Sequence, residues 1–221
     1  MSLSRRKILG LIGGGIVLAA GASATGFALT RTPNEALSPW ALAGTYPDAR
    51  LRALSYGLLA PNPHNMQPWL AELIGEDRVR LHRNWNKALP HTDPFNRQIT
   101  IGLGCFIELT RMAAAEEGLA MDVALFPEGG DDVIADLKFA PGGVADPLFV
   151  NYANRRSCKE AFEDRAVPND LLARVAEFAD VWTDTTLVER LRDFTFEAWV
   201  IEAETPRTYK ESVDVMRFGF S

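Results

Sequence analysis

The sequence has only two cysteines among its 221 residues, too few for a scaffold held together by disulfides. It also lacks a basic excess, since 23 Lys and Arg stand against 29 Asp and Glu, for a formal net charge of -6. A nucleic-acid-binding domain needs a basic surface, so this balance argues against that class. With 47% hydrophobic residues the chain is too apolar to be disordered, and its length suits one domain or two small halves sharing a core.

Several familiar catalytic and metal-binding motifs are also missing. His64, His82 and His91 do not have the spacing of metal ligands, and no cluster of cysteine and histidine accompanies them. The sequence has no nucleotide-binding glycine loop in its folded part and no G-x-S-x-G of a serine hydrolase. Cys105 is expected to be a small buried hydrophobe in a helix, and nothing in the sequence supports a disulfide to Cys158.

The N-terminus has the pattern of an export signal. Arg5 and Arg6 precede an uncharged apolar run over residues 8–29, and Ala22-Ser23-Ala24 fits an A-x-A cleavage site. The paired arginines resemble a twin-arginine (Tat) signal, which implies export of a folded protein through the Tat machinery. We therefore predict a periplasmic or extracytoplasmic location, with residues 1–29 as the signal. The run is also long enough to stay as an uncleaved membrane anchor, although its glycines make it weakly hydrophobic.

Hydrophobic spacing divides the remaining chain into a mixed half and a helical half. Residues 30–46 contain several prolines and glycines and are predicted to be a linker. Residues 47–150 show two helical patterns and four strand patterns, at 48–59, 97–117, 69–74, 78–82, 121–126 and 133–139. Residues 151–221 show helices only, at 168–179, at 186–204 and from 209 onward. Strands that bunch together, rather than alternating with helices, predict an α+β fold.

A rigid loop precedes the first predicted strand. It reads Ala60-Pro61-Asn62-Pro63-His64-Asn65-Met66-Gln67-Pro68-Trp69, and its prolines fix φ and remove backbone donors. The amides of Asn65 and Gln67 each offer a donor and an acceptor, which suits the edge of a heteroaromatic ring. On spacing alone, an ordinary turn before a strand is the favoured interpretation.

A second segment concentrates positive charge in an otherwise acidic chain. It reads Asn154-Arg155-Arg156-Ser157-Cys158-Lys159 and continues to Pro168. Arginine forks match phosphate oxygens bidentately, and lysine adds a point charge. By itself, a solvated cluster paired with the nearby acids Glu160, Glu163 and Asp164 is the simpler explanation.

Together the two segments resemble the nitroreductase family. The first is similar to its A-P-S-x-x-N-x-Q-P-W segment, and the second to its R-R-S/T-x-R/K-x-F-x-D-x-x-V-P segment. Their order is reversed here, and a D-P-F-N-R-Q stretch at 93–98 opens the long helix, as in the Acg-type branch with two fused repeats. The resemblance covers roughly residues 48–219. It implies a nitroreductase-like sheet with flanking helices: a first repeat, then the helical start of a second whose strands are missing.

The resemblance implies a protein that binds FMN. The phosphate and ribityl chain would meet Arg155, Arg156, Ser157 and Lys159, whereas the ring would meet Pro61, Asn62, Pro63, Asn65 and Gln67. Pro68 and Trp69 would pack as structure. The flavin would take hydride from NAD(P)H and pass electrons to a small aromatic acceptor such as a nitroaromatic or a quinone, without a catalytic residue that we can name.

Two departures and two alternatives accompany this resemblance. Asn62 stands where the family usually has serine, and Lys159 where arginine is commoner. The sequence stops within a predicted helix, so the resemblance predicts a truncated form, or one that needs a dimer or partner chain to complete the site. A flavin-storage protein without turnover and a cofactor-free remnant therefore stay open as alternative functions.

Overall fold

The computed structural model describes residues 34–158, 160–163 and 165–216. The predicted export signal, Lys159 and residues 217–221 lie outside these ranges. Within them, no helix is long and apolar enough to cross a membrane.

Four antiparallel strands form one sheet in the order β1–β2–β4–β3. They are β1 (Trp69–Ile74), β2 (Arg78–Arg83), β3 (Leu119–Leu125) and β4 (Val133–Pro141). Strand β2 shows the predicted alternation, since Val79 and Leu81 are fully buried on one face. The central strands β2 and β4 therefore carry most of the sheet's contribution to the core.

The helices are α1 (Asn34–Leu42), α2 (Ala49–Gly57), α3 (Arg97–Glu116), α4 (Asn169–Ala176), α5 (Thr185–Glu204) and α6 (Pro206–Asp214). Short 3-10 turns lie at Pro63–Asn65, Trp85–Lys87 and Phe149–Asn151. Helix α3 buries Ile99, Leu103 and Phe106 at helical spacing and packs against α2. The two helices cross closely at Gly57, where a Cβ would lie 2.5 Å from the Thr110 hydroxyl oxygen. The α+β prediction is confirmed.

The segment predicted to be a linker contains α1. The prolines in this segment led us to expect no helix there. Pro39 lies inside α1 and has no N–H to donate to the carbonyl of Glu35. The hydroxyl of Ser38 donates to that carbonyl instead, at 2.8 Å. The local side chain thus offsets the bond that proline removes.

The helical second half leaves large apolar side chains in solvent. On α5, Phe194 is 69% exposed, Trp199 60% and Ile201 69%, and none of the residues of α5 is buried. Helix α4 likewise exposes Leu171 and Val175. Several large exposed apolar side chains on one helix mark a place where another element or molecule packs.

Candidate functional site

The first motif forms a strained loop between α2 and β1. Within this motif loop (residues 60–68), His64, Asn65 and Gln67 have φ values of 48°, 52° and 53°. Non-glycine residues seldom adopt left-handed backbone, and such residues cluster at binding and active sites. Pro68 and Trp69 are buried at the end of the loop, and the Trp69 ring lies 4.8 Å from that of Phe106. The prediction that they pack as structure is thus confirmed.

The side chain of Asn62 holds the loop in shape. Its Oδ1 accepts from the backbone N–H of Gln67 at 2.8 Å, and its Nδ2 donates to the carbonyl of Ala60 at 3.1 Å. The Asn62 side chain thus joins the start of the loop to Gln67, a contact that a carboxamide makes with its separate donor and acceptor. The sequence resemblance assigned this side chain to a ring, whereas its contacts here lie within the loop.

A glycine of α3 lets the loop approach the helix. A Cβ at Gly102 would lie 3.0 Å from Cβ of Asn62 and 3.3 Å from Cδ of Pro63, closer than ordinary packing allows. The loop therefore rests directly on the helix backbone at this point. Gly104, two residues further on, faces open space and has no such neighbour.

An open cleft of about 270 Å³ lies between the motif loop and α3. Proline rings, an isoleucine, two carboxamides and a thiol line it: Pro61, Asn62, Pro63, Gln98, Ile101, Gly102 and Cys105. A mostly apolar wall with a few amides suits a flat ring that has polar edges. Cys105 is only partly buried and lines this cleft, so it does not lie wholly in the core as predicted; it and Cys158 are both free thiols.

The structure brings one residue of the second motif to the loop. Nη2 of Arg155 donates to the carbonyl of Leu59 at 2.9 Å, immediately before the motif loop. The guanidinium of Arg156 lies 5.9 Å from the Trp40 ring and donates to two nearby carbonyls. Ser157 is exposed to solvent.

The structure does not pair these arginines with the two nearby glutamates. Within the described ranges, neither arginine forms an ion pair with Glu160 or Glu163; instead, Glu163 pairs with Arg165. Asp164, the third acid of that alternative, lies outside the described residues.

A second pocket lies where α6 ends against the motif loop. It has about 270 Å³ and is lined by His64, Asn65, Val215 and Met216. The sequence did not predict this contact, because nothing in the pattern of α6 indicates which surface it meets. Residues from both halves of the chain thus form one pocket.

Strand β2 also buries an arginine that the sequence analysis did not predict to be buried. The side chain of Arg83 is 2% exposed; Nη1 contacts Asp131 at 3.1 Å and Nη2 donates to Thr100 at 3.0 Å. Its guanidinium lies 4.8 Å from the Trp85 ring. Strand alternation could have found it, because residue 83 shares the face of Val79 and Leu81.

Part of the chain is similar in sequence to known proteins. No family model matches the chain. Over 91 residues it is 33% identical to a Mycobacterium tuberculosis protein described as a candidate NAD(P)H nitroreductase, acg, covering 40% of this chain and 27% of that protein. Over that segment the chain is similar to a protein that is named as a nitroreductase. An uncharacterised protein of the same organism is 33% identical over 86 residues, which cover 37% of this chain and 25% of the relative.

These matches span about a quarter of each relative's length. The crystal structure of a nitroreductase family protein from Streptococcus pneumoniae TIGR4 covers 62% of this chain and 90% of its own, with a TM-score of 0.35 and 12% identity. At that TM-score the likeness carries no structural argument.

Proposed function

We propose that the chain binds FMN at the motif loop and works as an NAD(P)H-dependent oxidoreductase of the nitroreductase type. One observation carries the proposal. The loop whose sequence resembles the family's flavin segment is the loop with three left-handed non-glycine residues, and it lies beside an open cleft. Strain of this kind is kept where a backbone must present itself to a ligand.

The residues present fit a flavin. The cleft beside the loop has proline and isoleucine surfaces for the flat faces of a ring and carboxamides for its edges. On the second motif, Arg155 holds the carbonyl of Leu59 with one of its five N–H donors. An apolar cleft beside the loop that Arg155 contacts supports a phosphate-bearing aromatic cofactor, because arginine forks match phosphate oxygens.

Each group of residues has its own part in holding FMN. Pro61 and Pro63 would contact the ring from the cleft, while Asn62 keeps the loop in shape. The amides of Asn65 and Gln67 do not line this cleft, and Asn65 lines the second pocket instead; their contact with the polar edge of the ring is proposed from the sequence resemblance. The phosphate and ribityl chain would be held by Arg155, Arg156, Ser157 and Lys159. When bound, FMN supplies the redox chemistry, taking hydride from NAD(P)H and reducing a nitroaromatic or quinone.

The apolar surface of α4 and α5 supports a further part of the proposal. A dimer or a partner chain would cover Phe194, Trp199 and Ile201 and would complete the cofactor site. Sedimentation of the purified chain measures this directly. A stable monomer whose FMN affinity does not change with protein concentration would contradict the proposal that a second chain completes the site.

Storage of the flavin without turnover is the second candidate. It is favoured by α6, whose end lies against His64 and Asn65 and narrows access to the loop. Bleaching of bound flavin by NAD(P)H distinguishes the two functions, because a storage protein keeps its flavin oxidised.

The first experiment is the visible spectrum of the purified protein, with the released chromophore identified. FMN bound in the wild type should be lost in Asn65→Ala and Arg156→Ala. Asn86→Ala and Arg78→Ala, exposed residues of the same types outside the site, serve as matched controls and should keep it. A colourless protein that does not take up added FMN would favour the cofactor-free remnant.

Export through the Tat machinery to the periplasm is likewise our proposal, made from the paired arginines alone. Replacing Arg5 and Arg6 by lysine should keep the protein in the cytoplasmic fraction. Unchanged fractionation of this variant would contradict the proposal.

A further inference from the structure

The carboxylate of Glu211 joins the two halves of the chain. It accepts from the backbone N–H of Thr92 at 2.7 Å, from the Thr92 hydroxyl at 2.7 Å and from the backbone N–H of His91 at 3.1 Å. Thr92 is buried, so water competes little for these bonds. The bonded residues are 119 and 120 positions apart in the sequence.

The segment that receives Glu211 is itself firmly fixed. Next to Thr92, the buried carboxylate of Asp93 accepts from the backbone N–H of Ile99 at 2.9 Å, at the start of α3. Gln98, which lines the cleft beside the motif loop, donates to the carbonyl of Thr92 at 3.4 Å. The carboxylate therefore docks α6 onto a rigid part of the first half.

This docking determines where α6 ends. The backbone N–H of Val215 donates to the carbonyl of Glu211 at 3.1 Å, so Val215 lies one helical turn after the carboxylate. Val215 packs against the core, and with Met216 it forms the wall of the pocket opposite His64 and Asn65. The position of that wall thus follows from the Glu211 contacts.

We propose that Glu211 is a positioning residue for the cofactor site, because it holds the end of α6 against the left-handed part of the motif loop. This inference rests on the proposed function. Glu211 does not need to touch the ligand. A loop that is already held in its bound conformation loses less entropy on binding, so releasing α6 weakens binding without removing a ligand contact.

The experiment combines hydrogen exchange with FMN affinity. Glu211→Gln removes the negative charge and one of the two acceptor oxygens, and Thr92→Val removes the hydroxyl bond to the carboxylate. Thr92→Ser keeps the hydroxyl as a conservative rescue. Asp214→Asn is the matched control, since it removes a negative charge from the same helix at a surface position, where the carboxylate pairs with Lys210. Far-UV circular dichroism checks that every variant is folded.

We expect Glu211→Gln and Thr92→Val to speed amide exchange in α6 and in residues 60–68, and to raise the Kd for FMN about tenfold. The two changes should not be additive in the double variant, because they break the same contact. Thr92→Ser and Asp214→Asn should behave like the wild type.

Two results would overturn the inference. Unchanged exchange in α6 of Glu211→Gln would mean that the carboxylate does not hold the helix. Faster exchange in α6 with an unchanged Kd would mean that the helix does not position the site. If the wild type binds no FMN, the proposed function fails, and exchange in residues 60–68 alone then supports or overturns the positioning role.

Discussion

Replacing Gly102 by alanine should destabilise the protein, whereas the same replacement at Gly104 should stabilise it. Both glycines lie in α3, where alanine gains about 1 kcal/mol over glycine from helix propensity. At Gly104 nothing lies within 4 Å of the new methyl group, so the gain should appear in full. At Gly102 the methyl group would lie 3.0 Å from Cβ of Asn62 and 3.3 Å from Cδ of Pro63.

The magnitude depends on whether the motif loop can move away. Overpacking of a rigid site costs about 1–3 kcal/mol. The loop has little freedom, since prolines fix its backbone and Asn62 bonds both of its ends. We therefore expect Gly102→Ala to be less stable than Gly104→Ala by about 1–3 kcal/mol.

Equilibrium unfolding in urea measures the free energy of unfolding of both variants. Equal slopes of this free energy against urea concentration would show that the unfolded states are alike. Gly102→Ala should also raise the Kd for FMN if the loop forms the cofactor site, while Gly104→Ala should not. Equal stabilisation by the two changes would refute the close contact between loop and helix.

Two further predictions concern charged groups outside the site. Asp131→Ala should destabilise the protein by about 1–3 kcal/mol in urea unfolding, because a donor of the buried Arg83 guanidinium loses its acceptor. Replacing Arg83 by methionine should cost less, because no unpaired buried charge then remains. The reverse order would contradict this reasoning. Asp48 caps α2, and its hydrogen bond with Arg50 is the main reason that its pKa falls from 3.8 to about 2. Because the folded pKa is lowered, the resulting stability is present above the unfolded pKa and is lost as the pH falls from about 4 to about 2. The difference in urea midpoint between wild type and Asp48→Asn should therefore be constant above pH 5 or so and disappear near pH 2, whereas a difference independent of pH would exclude the ion pair as its cause.

The pKa of Glu211 is lowered in the folded state, as is that of Asp48. Burial raises the pKa of this carboxyl, but the hydrogen bonds from Thr92 and His91 lower it by more, and the net pKa lies below the ordinary value. The stability that this carboxylate contributes is therefore present at neutral pH and is lost on acidification, as the carboxylate takes up a proton.

Much of the fold followed from periodicity. Alternation in β2 and helical spacing in α3 located the core correctly, since each pattern needs only neighbours along the chain. The sequence missed α1, because proline normally ends a helix and the compensating hydroxyl of Ser38 depends on its rotamer.

Less of the candidate site than of the fold could be predicted from the sequence. Motif resemblance located the loop but did not predict the left-handed backbone of His64, Asn65 and Gln67. The bond between Glu211 and Thr92 joins segments that are distant in sequence, and an ordinary helical glutamate has no local signal of such a partner.

The energetics of the motif loop connect these observations. Three left-handed non-glycine residues cost about 3 kcal/mol together if each costs about 1 kcal/mol. Side-chain hydrogen bonds from Asn62 and Arg155 hold the loop and its start, and at about 1 kcal/mol each they offset part of this cost. Loss of one bond favours relaxation of the backbone, and a ligand that contacts only the strained conformation stabilises it. A motif that holds its polar residues in a costly conformation is what a binding loop requires and what an ordinary turn before a strand does not.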